Sequence, residues 1–587
     1  MPDQITFTHE SEMPYVPISQ GDMEWNKTGT WRTQRPFYED KTPPCNAVCP
    51  AGNDIVSFIL RIVNGDFEGA WNLIREENPF PGICGRVCFH PCEGKCNRGR
   101  FDEPIAIHAL ERFVSDFASH LPGQKVNGTK RQEVSKKRKE RIAIIGAGPA
   151  GMTCAYHLAR LDYDVTVFES LPFAGGVLRT GIPSYRLPRE VLDRELSAIE
   201  ALGVKVQTGV PLGPAMKMED LRSYGAIFIA AGAHRSKRLH VAGERSRHVL
   251  SGLEFLKAIN LGEDVDIGAS VAVVGGGNTA IDVARCLIRL GKHPIILYRR
   301  TREEMPAFEE EIGEAIEEGA EIKFLVSPVR IREEKSLKRL ECLRMKLAER
   351  DETGRRRPVP VPESSFFIEA ESVIVAAGEE TDLSFLPRGV KKRDGIVLTQ
   401  TNGRTAVDGI FAGGDFASRE RTVAHAIGSG KRSAVAIDCY LKGEDPEKVL
   451  QSLLVGNGPS ISVFPFFHPG GPSRNPHVVA FEELNMDYFE KARSEKETKY
   501  PLPERIKGFF EVTSSLNERT ASEEAGRCFN CGTCNECENC YTFCPDASIL
   551  KGARSLSHEV DYDFCKGCGI CFTECPRRAI SLREEAR

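Results

Sequence analysis

Near its C-terminus the chain carries the spacing Cys-x2-Cys-x2-Cys-x3-Cys-Pro twice, at Cys534, Cys537, Cys540 and Cys544 before Pro545, and at Cys565, Cys568, Cys571 and Cys575 before Pro576. Few patterns constrain a fold more. Three closely spaced thiolates clasp one [4Fe–4S] cluster from a tight loop, while the fourth, followed by proline, reaches across to a second cluster. Cys534, Cys537, Cys540 and Cys575 are therefore expected around one cluster, and Cys565, Cys568, Cys571 and Cys544 around its partner. Thiolates also bind zinc, but structural zinc sites come as separated cysteine pairs, not interleaved runs closed by Cys-Pro. Such a chain moves single electrons. Cys528 and Cys531 precede this register, which Cys544-Pro545 fixes at Cys534, and they stay unassigned.

A length of 587 residues allows roughly four domains at about 150 residues each. The net charge of -5 gives no sign of nucleic-acid binding. No apolar run approaches the roughly 18 residues of a membrane span, and Met1-Pro2-Asp3-Gln4 does not open like a signal peptide. A cytoplasmic location is expected, where cysteines serve metal or redox roles rather than disulfides. Six of the twenty cysteines lie between Cys45 and Cys96 and ten between Cys528 and Cys575, so both ends are candidate metal regions. Cys154, Cys286, Cys342 and Cys439 are isolated and read as small buried apolar side chains.

The middle of the chain reads as two nucleotide sites. The apolar run Ile142–Ile145 opens into Gly146-Ala147-Gly148-Pro149-Ala150-Gly151 and then a helical stretch. The first glycine permits the turn, the second lets backbone approach a pyrophosphate, and the third lets helix pack on strand. The next strand ends on Glu169, the expected ribose acceptor. A second fingerprint, Gly275-Gly276-Gly277-Asn278-Thr279-Ala280, follows Val271–Val274. Its next strand ends in Arg299 and Arg300, then Arg302, with no carboxylate at the ribose position. Guanidinium groups there suit a 2′-phosphate, so NADP(H) is preferred to NAD(H), with FAD at the first site. Glu303-Glu304-Met305-Pro306 and Glu309–Glu311 read as an acidic helix start with a solvated face.

Together these motifs resemble the small (beta) subunit of bacterial glutamate synthase and its iron–sulfur flavoprotein relatives. The resemblance runs from about Cys45 to Cys439. It rests on Cys45-x3-Cys49-Pro50-Ala51-Gly52; on Gly85-Arg86-Val87-Cys88 with Cys92 and Cys96; on Gly175-Gly176-Val177; on Gly181-Ile182-Pro183-x2-Arg186; and on Gly275–Asp282. It implies an α/β architecture: a helical N-terminal iron–sulfur domain and two intertwined Rossmann-like domains. To these the C-terminal cysteine runs add an α+β ferredoxin-like module. The expected divisions are 1–135 (N-terminal iron–sulfur), 138–265 and 371–442 (FAD), 266–370 (NAD(P)H), 443–525 (connector) and 526–587 (ferredoxin-like). Strands at 226–232 and 373–378 are the expected crossings between the nucleotide domains. The resemblance also implies flavin contacts from Gly176, Arg186, Gly414, Asp415 and Gly428, with Asp415 on the ribityl chain.

For the N-terminal domain the resemblance implies one [4Fe–4S] cluster on Cys49, Cys88 and Cys92 plus Glu111. A second would keep Cys45 and Cys96. The family has a Cys-x2-Cys pair before Cys45, whereas residues 35–44 here contain no cysteine; Cys84 is the substitute offered for a third thiolate, and no fourth is evident. By spacing alone, Cys84, Cys88, Cys92 and Cys96 also form a run in steps of four, although Pro91 argues against a regular helix there. One or two N-terminal clusters are expected. His90 and His108 read as packed or hydrogen-bonded residues near these thiols. The basic stretch from Lys125 to Lys139 reads as an exposed linker.

The implied function is an NAD(P)H oxidoreductase whose FAD and clusters serve a redox partner protein, as the electron-input subunit of a larger reductase or synthase. The alternative is a stand-alone NADPH:ferredoxin oxidoreductase, running in either direction. A disulfide reductase needs a Cys-x-x-Cys near the flavin, and Cys154, Cys286 and Cys342 are unpaired. The connector reads as a plain linker or as an arm around a partner or second protomer.

Overall fold

The computed structural model describes residues 8–13, 27–121, 138–334, 337–350, 354–471, 473–551 and 558–585. The basic stretch from Lys125 lies outside them up to Lys137.

Ile142–Ile145 forms a central strand buried on both faces, as a parallel sheet covered by helices requires. The strand order is Ile410–Ala412, Ala226–Ile229, Arg141–Ile145, Asp164–Phe168 and Lys205–Gln207, all parallel. A second parallel sheet orders Glu321–Phe324, His293–Tyr298, Ser270–Val274, Ser372–Val375 and Val249–Ser251. The two folds are Rossmann-like and intertwined. The chain passes between them through an antiparallel ribbon, Arg235–Ser236 against Glu379–Glu380. This corrects the expected divisions at 266 and 370. Val249–Ser251 and Ser372–Val375 belong to the second sheet, so the inserted domain begins and ends at the ribbon. Both are short apolar strands, and nothing local marks which sheet such a strand joins. An antiparallel four-stranded sheet, from Val326–Glu334 to Phe366–Ala370, packs Ile331, Leu340 and Ile368 over Ala272, Val274 and Leu297.

The acidic helix Glu309–Glu318 does not present a purely solvated face. Glu311, Glu314 and Glu318 turn inward onto the fully buried Arg285, at 2.7 Å for Glu314 and 2.8 Å for Glu318. Arg289 joins Glu318 at 2.7 Å. Arg186, from the first domain, spans both oxygens of Asp282 at 2.9 Å and meets Glu311 at 2.8 Å. Arg186 Nη1 is shared between the two Asp282 oxygens and Nε faces Glu311, and these charge-assisted contacts at a buried seam make a latch between the two nucleotide domains.

The N-terminal helices Ile55–Val63, Phe67–Glu77, Pro81–Val87 and Ile107–Ser119 share one apolar core with the first nucleotide domain, including Met152, Leu158, Leu192 and Ile427. The connector runs back over its own chain as a strap. Leu516, Ala521 and Ala525 enter that shared core, and Val512 enters the core of the second nucleotide domain. Lys499 pairs with Glu310 and Glu314, and Arg505 with Glu317. These residues corral the strap onto the chain itself, where a linker or partner arm was expected.

The C-terminal domain is also not confined to 526–587. Its last strand, Ile580–Glu584, pairs antiparallel with Gln34–Tyr38 from the start of the chain. Arg32 fastens the join, donating to Glu585 at 2.7 Å and to the Tyr562 carbonyl at 2.7 Å. Residues 27–38 therefore pack with the C-terminal module, and Lys41–Thr42 pair with Asn475–Val478 of the connector.

Candidate functional site: two dinucleotide loops and buried thiol clusters

The first glycine loop is shaped to receive a diphosphate. Gly146 has φ +102°, and a Cβ there would stand 2.4 Å from the Ala230 carbonyl oxygen. At Gly151 it would stand 1.9 Å from the Gly146 oxygen. At Gly148, by contrast, it would meet nothing within 4 Å, so the middle glycine faces open space at the N-terminus of Pro149–Arg160. Glu169 is buried, accepting from Ala147 N at 2.8 Å and Leu171 N at 2.9 Å. Gly176 backs onto Gly148 and Gly414 onto Ala150, both with positive φ. Asp415 lies at the start of this wall, and burial holds its carboxyl up at about 6 despite Arg421. An FAD diphosphate and ribityl chain fit this donor set.

Two expected flavin contacts have other partners. Arg186 is taken up by Asp282 and Glu311 in the latch. Gly428 is where Pro50 crosses the helix Val423–Lys442: a Cβ there would stand 2.2 Å from the Pro50 oxygen. That contact seats the Cys49 loop on the flavin-side domain.

The second loop repeats the first. Gly275 has φ +154°, with a Cβ 2.2 Å from the Ala376 oxygen, while Gly277 meets nothing nearer than Pro306 Cγ at 3.9 Å. Asn278 Oδ1 accepts from Phe308 N at 3.0 Å, and Thr279 donates to Glu379 at 2.9 Å. Ala280 is fully buried under the strand. Of the two arginines expected at the ribose, Arg299 is exposed at the strand end, whereas Arg300 is buried with Nε donating to the Arg356 carbonyl at 2.8 Å.

In the N-terminal domain, Cys49, Cys88 and Cys92 act on one another electrostatically, and Glu111 acts on Cys49 and Cys88. Glu111 accepts from Asn53 at 3.0 Å and Asn78 at 3.1 Å. Burial nevertheless lifts its carboxyl to about 8. Cys84 is buried beside Glu111 and Cys88, with Glu195 beyond. The groups that act on the buried Cys45 are Cys96, Cys528 and Cys531. The expectation that Cys84 completes the Cys45 and Cys96 pair is thus corrected. Cys84 sits on Pro81–Val87, the helix that Cys88 caps. His90 and His108 stack at 4.0 Å, and His108 Nδ1 lies 2.8 Å from Glu93. Burial opposes charge on His108, but Glu497 and Glu93 overcome it and hold the ring at about 10.

The C-terminal thiols fall into two groups. Cys534, Cys537, Cys540 and Cys575 line one pocket with Tyr38 and His558. Cys565, Cys568 and Cys544 act electrostatically on Cys571, as does Cys540 of the first group, which packs in the same core. The halves repeat each other in backbone detail. Glu536 and Gly567, Glu538 and Gly569, and Ala547 and Arg578 all have positive φ. Ser548 N donates to Cys544 Sγ, and Ala579 N to Cys575 Sγ, both at 3.3 Å. Left-handed turns at non-glycine residues cost about 1–3 kcal/mol each and persist where the surroundings demand them. Here they aim N–H groups at sulfur. Burial pushes the Cys534 thiol up to about 11 and the Cys571 thiol up to about 12, so gathering thiolates there costs energy that cationic iron offsets. The thiol groups fit iron–sulfur clusters.

A flavin cradle, a second dinucleotide loop and grouped buried thiols define an iron–sulfur flavoprotein oxidoreductase that works with a nicotinamide nucleotide. The comparisons agree. Residues 140–430 match the pyridine nucleotide-disulphide oxidoreductase family, 33–121 the dihydropyrimidine dehydrogenase domain II with its 4Fe-4S cluster, and 558–581 the 4Fe-4S binding domain. The chain is 39% identical over 525 residues to the NADP(+)-dependent formate dehydrogenase subunit beta of Moorella thermoacetica, covering 85% of this chain and 71% of that one. It is 38% identical to the NADPH-Fe(3+) oxidoreductase subunit beta of Geobacter sulfurreducens, covering 69% and 65%. It is 32% identical to the NAD-dependent dihydropyrimidine dehydrogenase subunit PreT of Salmonella typhimurium, covering 68% and 91%. The chain belongs to the NAD(P)H-dependent iron–sulfur flavoprotein oxidoreductases that resemble the glutamate synthase small subunit. Among the described residues no helix is long and apolar enough to cross a membrane.

Proposed function

We propose that this chain is an electron-input subunit. It takes electrons from NADPH at the Gly275–Ala280 loop and passes them through FAD and [4Fe–4S] clusters to a separate reductase or synthase subunit. The observation that carries this reading is the seat of the Cys49 loop on the flavin-side helix at Gly428, which joins the cradle to the first group of thiols. When bound, FAD exchanges hydride with the nucleotide and single electrons with the clusters. The chain's own work is to bind and orient. Gly146, Gly148, Pro149, Ala150 and Gly151 would cradle the flavin diphosphate, with Glu169 at the ribose and Gly176, Gly414 and Asp415 along the wall. Gly275, Gly277, Asn278, Thr279 and Ala280 would cradle the nicotinamide nucleotide, with Arg299 as the 2′-phosphate contact. Cys49, Cys88, Cys92 and Glu111 would hold one cluster. Cys534, Cys537, Cys540 and Cys575 would hold a second, and Cys565, Cys568, Cys571 and Cys544 a third.

The relatives' names support a separate acceptor, since formate, ferric iron and dihydropyrimidine chemistry recur with the same input architecture. Tyr541, Phe543 and Leu550 are exposed on the C-terminal module, which offers that acceptor an apolar face. The test is anaerobic mixing with NADPH or NADH, following flavin bleaching and then the cluster electron-spin signals. Flavin and then clusters should be reduced, with NADPH preferred. Arg299→Ser should lose about tenfold in kcat/KM for NADPH, about 1.4 kcal/mol, and little for NADH. Flavin left oxidised by both nucleotides would refute the input role.

A further inference from the structure

Two thiols outside every expected site, Cys528 and Cys531, lie where the N-terminal domain has two thiols too few. The segment that carries them is fastened on both sides. Arg98, two residues after Cys96, donates to the Arg527 carbonyl at 2.6 Å and covers the Phe529 ring at 4.9 Å. Asn97 donates to Cys531 Sγ at 3.4 Å. On the other side Lys41 N donates to the Gly532 carbonyl at 2.8 Å, just ahead of the helix Pro44–Val48 that carries Cys45. The loop is thus held between the elements bearing Cys45 and Cys96, and Cys45, Cys96 and Cys528 contribute to the same apolar cluster.

The local backbone has the form used at the other thiol groups. Asn530 has φ +50°, and its N–H points at Cys528 Sγ at 3.4 Å. His90 repeats this at Cys88, with φ +50° and 3.4 Å. Glu536 and Gly567 hold the same place two residues after Cys534 and Cys565, with φ +59° and +72°. A second observation points to an anionic occupant. Arg577 is 5% exposed, and its Nε and Nη1 have no hydrogen-bond partner. It follows Cys575-Pro576, lines the pocket of Cys534, Cys537, Cys540 and Cys575 and lies over the Tyr488 and Phe489 rings, and its charge acts on Cys528. A four-thiolate iron–sulfur cluster carries net negative charge, which a buried guanidinium would meet.

We propose that Cys45, Cys96, Cys528 and Cys531 hold a further [4Fe–4S] cluster, two thiolates coming from the N-terminal domain and two from the loop that follows the strap. It rests on the electron-input reading above and adds a station between the N-terminal cluster and the C-terminal pair, with Arg577 between this site and the Cys575 pocket. It also accounts for the missing Cys-x2-Cys before Cys45: the pair is supplied from the far end of the chain.

The experiment uses the full chain, purified anaerobically, as wild type, Cys528→Ser, Cys531→Ser and the double variant. Iron, acid-labile sulfide, zinc and flavin are measured together. The double variant should lose about four iron and four sulfide per chain and keep its flavin and the electron-spin signals of the remaining clusters. In the wild type, Cys528 and Cys531 should resist alkylation until a chelator and an oxidant strip the iron. If alkylation labels both thiols in iron-replete wild type, or if one zinc per chain leaves with the double substitution while iron is unchanged, the proposal is wrong. Wild type lacking iron and sulfide altogether would overturn the electron-input reading as well, so the two failures are distinguishable. If the double variant does not fold, the alkylation of wild type decides alone.

Discussion

The joint between the flavin-side domain, the Cys49 loop and the strap turns on one buried ion pair, and Lys431→Met should loosen it selectively. Lys431 is fully buried, and its Nζ donates to the Ala51 carbonyl at 2.5 Å and to Glu77 at 2.8 Å. Glu77, 2% exposed, also accepts from Ser462 Oγ at 2.5 Å, Val463 N at 2.8 Å and Phe464 N at 3.0 Å. Methionine keeps the length of the side chain and removes the charge. Breaking a buried pair from one side costs about 3–5 kcal/mol because the other charge stays buried alone. The three donors left to Glu77 favour the lower end, so about 3 kcal/mol is expected, or about 100-fold in a local opening equilibrium. Global melting is the wrong assay for a chain of several domains. Hydrogen exchange at Val463 and Phe464 reads the joint directly, and both amides should exchange about 100-fold faster at unchanged flavin content. Glu77→Gln added to Lys431→Met should recover part of the loss, with a coupling of about 2 kcal/mol. Protection within threefold of wild type, or effects that simply add, would refute the joint.

Three further outcomes follow from the packing. Glu195 accepts from Gly82 N at 2.6 Å and Ile83 N at 3.2 Å, yet burial raises its carboxyl to about 7. Its folded pKa exceeds its unfolded value, so folding takes up a proton and wild type loses stability as pH rises from about 4.5 to 7. Between pH 5 and pH 8 the hydrogen-exchange protection of the Gly82 and Ile83 amides, corrected for intrinsic exchange, should therefore move in favour of Glu195→Gln over wild type, by the equivalent of at most about 3 kcal/mol; a flat difference counts against it. Arg186→Gln should retain full FAD while the seam at Asp282 becomes open to limited proteolysis, and loss of flavin would return Arg186 to the cradle. Gly428→Ala sets a methyl 2.2 Å from the Pro50 oxygen and costs about 1–3 kcal/mol in strain. Flavin bleaching by NADPH should then outrun cluster reduction in stopped flow, and unchanged timing of the two signals would exclude that loop as the path.

What could be read from the sequence was local. Gly148 and Gly277 face open space because a strand, a turn and a helix N-terminus within a dozen residues force that geometry, and the two C-terminal cysteine runs carry their spacing in a single loop each. What escaped was set by partners far away in the chain. The pairing of Gln34–Tyr38 with Ile580–Glu584 has no local mark. Some signals were present but unread. Arg285 and Arg289 are one helical turn apart, and Glu311, Glu314 and Glu318 recur at steps of three and four, a pattern that marks one helix face and invites an ion-pair seam. Arg300 misled for a related reason, because a strand end shows which charges are available but not which of them the antiparallel sheet claims.

The surplus pair Cys528 and Cys531 and the deficit before Cys45 are one fact seen at two ends. Residues 35–44 hold no cysteine, so the buried Cys45 and the half-buried Cys96 need partners near in space and not in sequence. The topology supplies that nearness three times over. The first strand of the C-terminal sheet comes from residues 34–38, Lys41 reaches Gly532, and the strap buries Leu516, Ala521 and Ala525 in the core that also contains Cys45 and Cys92. Each contact lowers the entropy cost of the next, since a loop closed once makes further closures shorter. The strap and the start of the chain therefore behave as one scaffold spanning the N-terminal and C-terminal thiols. A chain so closed holds its thiol groups in one framework, with Tyr541 and Phe543 left exposed on the C-terminal module.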